Sequence, residues 1–130
     1  ICVIGTEVLA KHPWSLAEVC ATRVVDGLRA DTSWTGGVTG TMKTAHLADA
    51  FHMPFEVHTS IMAPLELVNM HICAATQSRY FEVLWPQSNF DFALTRGLPL
   101  ENGVARLPDT PGLGDALDWD MIDNATLAEL

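Results

Sequence analysis

Four short strand-like runs, "ICVIG", "LRAD", "PFEVH" and "RYFEVLW", recur along the chain at intervals of about 25 residues, and each interval holds a segment with helical spacing. Few folds satisfy that rhythm. Strands separated by a helix-length crossover pair in parallel with right-handed connections, so the chain is expected to be an α/β protein. Strands are expected at 2–5, 29–31, 54–58 and 80–84, with Pro86 closing the fourth. The first helix starts at Pro13, takes Ser15 as N-cap with Glu18 three residues on, spaces Leu16, Val19, Cys20, Val24 and Leu28 on one side, and ends by Gly27. "GGVTGTMKTAHLADAFHM" continues the spacing through Val38, Met42, Ala45, Leu47, Ala48 and Phe51, and "APLELVNMHICAAT" through Leu65, Val68, Met70, Ile72 and Cys73. A doubly wound sheet and part of a barrel both fit. No G-x-G-x-x-G follows the first strand, which removes the main support for a dinucleotide site.

Beyond Trp85 the chain turns rich in Pro, Gly and Asp, with Asn102-Gly103 between apolar-polar alternations, so a hairpin is expected at about 98–107 and an irregular tail after it. The domain division expected is 1–86 as a partial β/α barrel and 87–130 as a hairpin and tail that lie on it and on a capping domain. The chain opens on Ile1, without Met, inside an apolar run, and reads as a fragment.

Seven basic residues against 16 acidic ones, a net charge of −9, leave no cationic cluster to neutralise phosphates, so neither nucleic acid nor an anionic membrane is an expected partner. Cys2, Cys20 and Cys73 form no C-x-x-C pair and no even framework, which points to a reduced, cytoplasmic setting without a structural zinc site. No run is apolar for long enough to span a bilayer.

Polar residues fall at equivalent places in successive units: Glu7 just after the first strand, Asp31 ending the second, His58 ending the third and Glu82 within the fourth. Catalytic groups of parallel β/α folds gather at the carboxyl ends of strands. The types also cohere. A carboxylate such as Glu7 suits a hard cation, and an Asp beside a His fixes its tautomer for proton transfer. Glu82 can donate a hydrogen bond to a carboxylate substrate only when protonated. Strand parity adds one expectation: Arg29 shares a face with Asp31 and Glu56 with His58, so Arg29 and Glu56 should pair, in bidentate fashion, beneath the Asp-His layer. His12, His46, His52 and His71 read as surface or packing residues, Met42, Met62 and Met70 as core filler, Glu66 and Asp49 as solvated, and Cys73 as no nucleophile. Gly36 and Gly37 read as serving the start of the second helix and close packing.

The stretches "IGTE", "RADTSWTGGVTG", "KTAHLADAFHMPFEVH", "LVNMHICAA" and "YFEVLWP" resemble, in order and spacing, the fifth to eighth units of the (β/α)7β barrel of the enolase superfamily, mandelate racemase subgroup. Asp31 and His58 lie 27 residues apart (58 − 31), one β/α unit, as in that family's dyad. The resemblance implies the C-terminal half of a TIM-type barrel, with Glu7 as a Mg²⁺ ligand, His58 as acid/base catalyst, Asp31 as its partner and Glu82 as the electrophilic group near the substrate carboxylate. It implies a Mg²⁺-dependent enzyme that removes the proton α to a carboxylate of a small acid, a sugar acid or 2-hydroxy acid, acting as an acid-sugar dehydratase and forming a homo-oligomer at full length. A racemase or epimerase, with a second base, is the alternative reaction. A non-catalytic half-barrel that binds a partner is the alternative if 130 residues are the whole protein, and the family's capping domain, first metal ligands and Lys motif would all precede Ile1. Trp34 leaves the substrate open.

Overall fold

The computed structural model describes residues 2–6, 10–60, 62–76, 78–113 and 117–128. Three parallel strands, β1 (Ile4–Gly5), β2 (Gly27–Ala30) and β3 (Phe55–Val57), lie side by side in chain order. The register pairs Ile4 with Gly27, then Leu28 with Phe55, Arg29 with Glu56 and Ala30 with Val57. Helices α1 (Pro13–Thr22) and α2 (Gly37–Ala50) make the crossovers, and α3 (Ala63–Thr76) follows β3. The fourth run contributes one parallel bridge, between Val57 and Phe81, rather than a strand over 80–84. The reason lies just past β3: the Thr59 N–H turns to the Glu82 side chain and the Ser60 N–H to the Glu66 side chain, so neither is left for a ladder.

The first helix is shorter than its spacing implies. Arg23 takes a left-handed conformation (φ 53°) and its N–H closes on the Cys20 carbonyl, which ends α1 at Thr22. Asp26 and Gly27 then donate to the Val3 carbonyl, and the Asp26 carboxylate accepts from the Val3 N–H, which starts β2. Gly27 and Leu28 therefore belong to the sheet, where a Cβ at Gly27 would lie 2.8 Å from the Pro54 ring. Val24 and Val38 are exposed, not core, and Met62 is exposed too. At the N-terminus His12, not Ser15, holds the cap position, without a side-chain cap bond.

One apolar core joins the first two helices to the sheet through Leu16, Cys20, Leu28, Ala48 and Met53. Full burial of each Leu removes apolar surface worth about 1.5–3 kcal/mol. A second core lies on the far side of α3, where Ala63, Leu67 and Met70 meet Leu94 and Leu98. The antiparallel hairpin β4 (Leu100–Glu101) and β5 (Val104–Ala105) turns at Asn102 and Gly103, both at positive φ, and α4 (Trp119–Ala125) stands within the tail. Asp118 caps α4 by accepting from the Met121 N–H. Among the described residues no helix is long and apolar enough to cross a membrane.

Candidate active site

The strands deliver their polar residues to one rim. Asp31 directly follows β2 and His58 directly follows β3, whose ladder continues one step further as the His58 N–H donates to the Ala30 carbonyl. The imidazole Nδ1 lies 2.9 Å from Asp31 Oδ2. Asp31 is almost wholly buried, and its other oxygen, Oδ1, accepts from the Ser33 N–H (2.7 Å), the Ser33 hydroxyl and the Ser60 hydroxyl (3.0 Å). A carboxylate only accepts, so the proton of a neutral His58 ring sits on Nδ1 and Nε2 keeps its lone pair. That leaves Nε2, unprotonated in the neutral ring, as the nitrogen able to accept a proton.

The turn that carries Asp31 is built by sequence-local contacts. Trp34 and Thr35 donate to the Asp31 carbonyl, Gly37 donates to the Thr32 carbonyl, and the Thr35 hydroxyl accepts from the Asp31 N–H. Gly36 and Gly37 take positive φ (88° and 68°), a region that disfavours any side chain, while the space around them is open. Close packing belongs instead to Gly40, where a Cβ would stand 1.7 Å from the Thr35 carbonyl oxygen.

Glu82 reaches the same rim from beyond α3. Its Oε2 accepts from the Thr59 N–H at 3.0 Å and stands 4.0 Å from His58 Nε2, while Oε1 lies 3.6 Å from Arg29 Nη2. The same Nη2 is 3.7 Å from Glu56 Oε2. Arg29 and Glu56 thus meet where parity puts them, but one nitrogen is shared between two carboxylates rather than held in a bidentate fork, and Arg29 Nε is buried without a hydrogen-bond partner. With the Arg29 and Glu56 side chains 24% and 18% exposed, the contact is long and partly wet. Glu56→Gln is expected to lower stability by at most about 1 kcal/mol, read as a small fall in the urea midpoint of the intact protein, because Arg29 keeps Glu82. A loss several times larger would show that Glu56 is the principal partner.

The Trp34 ring lies 5.5 Å from the His58 ring, tilted by 30°, and Lys11 Nζ stands 5.4 Å from the Trp34 ring centre. The histidines set aside in the sequence remain apart from the dyad: His12 stacks on Trp14, His46 and His52 are exposed, and His71 Nε2 meets the Gly112 carbonyl. Burial pushes the Cys73 thiol up to about 11, so it stays protonated at neutral pH. Glu7 lies outside the described residues. Among those described, no three His, Cys, Asp or Glu side chains converge to hold a metal ion.

Sequence reasoning missed a second group of polar residues. Glu66, read as solvated, is buried on α3 and accepts from the Thr59 hydroxyl, the Ser60 N–H (2.6 Å) and Asn69 Nδ2 (3.0 Å). The signal was available in the helix itself: Glu66 and Asn69 sit three apart among the buried Ala63, Leu67 and Met70, polar residues on an inward face.

A family model for Enolase C-terminal domain-like proteins matches residues 1–121. The chain belongs to that family. The resemblance read from the motifs is therefore correct, and the three parallel strands are part of an enolase-type (β/α)7β barrel. This enolase-type chain is 30% identical over 102 residues to an arabinonate dehydratase of Saccharolobus solfataricus, covering 78% of itself and 27% of that relative. A solved D-glucarate dehydratase from Agrobacterium tumefaciens, complexed with magnesium, superposes with a TM-score of 0.79 at 36% identity over 95% of this chain and 33% of its own. An Agrobacterium tumefaciens enolase described as mandelate racemase subgroup shares the fold, with a TM-score of 0.78 at 22% identity, 93% of this chain and 33% of its own. The chain spans about a quarter of the curated relative and a third of each solved structure.

Proposed function

We propose that the chain contributes the proton-transfer side of an enolase-superfamily active site that dehydrates a small acid sugar. The observation that carries this reading is the 2.9 Å contact between His58 Nδ1 and Asp31 Oδ2, which leaves the Nε2 lone pair to take a proton, with Glu82 Oε2 4.0 Å away. In this reading Nε2 takes the proton α to the substrate carboxylate, with the C–H electrons moving into the developing enolate. The same ring then returns that proton to the β-hydroxyl as the C–O bond breaks, so water leaves and the enol product becomes a 2-keto acid. Asp31 holds the ring in one tautomer and stabilises the imidazolium between the two steps.

Glu82 flanks the place where the substrate carboxylate would lie. Both its oxygens face donors in this arrangement, Thr59 N–H and Arg29, so the electrophilic role assigned to it requires a proton placed on one of them. Trp34 forms a wall beside the reacting ring. Magnesium is proposed from the likeness to the magnesium-bound dehydratase, with Glu7 as one of its ligands, and the proton steps above are those of this chain's own residues. The 30 and 36% identities with two sugar-acid dehydratases favour dehydration over racemisation.

The test is a library of sugar acids offered to the protein expressed from its full reading frame, with Mg²⁺ and with a chelator. A 2-keto-3-deoxy acid formed only with the metal is the expected result. Deuterium entering the α position from solvent, with no keto acid produced, would replace dehydration by racemisation, and neither signal on any acid would overturn the reading.

A further inference from the structure

Residues 59 and 60, which follow His58, spend every donor they have on carboxylates. The Thr59 N–H goes to Glu82, the Thr59 hydroxyl and the Ser60 N–H go to Glu66, and the Ser60 hydroxyl goes to Asp31. Two of those three carboxylates stand at the dyad. The third, Glu66, does not touch it, yet it holds both residues that do.

We propose that Glu66 is a positioning residue of this site: from the inner face of α3 it fixes Thr59 and Ser60 so that the Ser60 hydroxyl meets Asp31 and the Thr59 N–H meets Glu82. Asn69 completes the brace. Its Nδ2 has Glu66 Oε2 (3.0 Å), Ser60 Oγ (3.1 Å) and the His58 carbonyl (3.3 Å) within reach, three acceptors that share its two protons, and its Oδ1 accepts from the Thr32 hydroxyl (2.9 Å). With the Thr32 proton on Asn69, the Ser60 proton has two acceptors at 3.0 Å, the Thr32 hydroxyl and the Asp31 carboxylate, and the charged oxygen is the stronger acceptor. The order of donors therefore runs one way, from Asn69 through Ser60 to the carboxylate that grips the catalytic ring. Glu66, Asn69, Thr59, Ser60 and Asp31 are all buried, so water is a poor substitute for any partner that is removed.

Glu66→Gln keeps the shape and spoils the pattern. An amide offers one acceptor and one donor where Glu66 meets donors on both oxygens, so one of Thr59, Ser60 or Asn69 loses its acceptor whichever way the amide lies. The proposal rests on His58 as the proton carrier for its functional meaning, but its readout is the ring itself. His58 is faced by Asp31 from the end of β2, by Glu82 from beyond α3 and by the Trp34 ring, with Arg29 behind Glu82 and Lys11 over Trp34. The Ser60 hydroxyl withdraws charge from Asp31. Losing it strengthens Asp31's hold on the protonated ring, and the ring then titrates at higher pH. Deleting the Glu66 charge alone would act in the opposite direction, because one negative charge near the imidazolium disappears.

The experiment is NMR titration of the His58 ring in the protein expressed from its full reading frame, with steady-state kinetics beside it. Glu66→Gln is expected to move the titration midpoint up by roughly half a pH unit, and to lower kcat about 10- to 100-fold with KM little changed. A midpoint that stays or falls overturns the proposal. Ser60→Ala, which leaves α3 and Glu66 untouched, is expected to give the same upward movement and decides the matter if the Glu66 variant does not fold; no movement there overturns the proposal whatever Glu66→Gln does. Failure to find any acid substrate would defeat the dehydratase reading and leave the titration result standing.

Discussion

His58→Asn in the intact protein is expected to cut turnover by roughly 10³-fold or more, at the upper end of what positioned proton transfer supplies. Asparagine fills part of the ring's space, and its amide can donate and accept hydrogen bonds, but it cannot take up a proton near neutral pH. The backbone should hardly notice, since the His58 N–H to the Ala30 carbonyl and the Asn69 bond to the His58 carbonyl are both main-chain contacts. The thermal midpoint and metal binding are therefore expected to stay close to the parent, which separates lost chemistry from lost folding. Asp31→Asn should be milder for chemistry, because the imidazole remains, and harsher for stability, because the Ser33 and Ser60 donors lose a charged acceptor. More than about a tenth of parental turnover in His58→Asn would take the ring out of the mechanism.

Gly40→Ala is expected to destabilise the protein by about 3 kcal/mol, the upper part of the usual range for overpacking. At an ordinary helix interior the same change would stabilise by about 1 kcal/mol, because glycine is the poorer helix former. The sign is reversed here by contact: the new methyl would lie 1.7 Å from the Thr35 carbonyl oxygen and 2.7 Å from the Thr35 carbonyl carbon, backbone atoms with no rotamer to yield. Thr35 cannot retreat cheaply, since its N–H and hydroxyl both bind Asp31 backbone groups. Relief of the clash would thus drag the dyad carboxylate, and turnover should fall with stability. A denaturation midpoint at or above the parent's would show that the turn has room.

The parallel sheet and the Asp-His pair were legible because both follow from periodicity: strand-length runs one helix apart put successive run ends at one rim. Parity alone placed Arg29 opposite Glu56, as the register has it. It could not place Glu82, which approaches Arg29 from beyond α3 and turns a pair into a shared contact. Leu28 was misassigned because helix spacing continued through it, and the signal that overrode spacing was the left-handed Arg23 cap, a conformation that Arg does not advertise. Gly40 carries no mark in the sequence, since its constraint comes from a turn five residues back. Glu66 was discounted because most carboxylates are solvated, although its neighbours on the helix were apolar.

Helix α3 is gripped on two sides by different materials. Leu67 and Met70 look towards Leu94 and Leu98 through apolar contact, whereas Glu66 and Asn69 look towards the rim through directed hydrogen bonds. Tolerance to substitution should therefore alternate with the turn of the helix. Apolar residues of similar volume can exchange on the first side at a cost usually under about 1.5 kcal/mol, but on the second a change of one atom from acceptor to donor alters the pattern around Asp31. One helix thus couples a seat for the tail that tolerates repacking to a brace at the rim that does not.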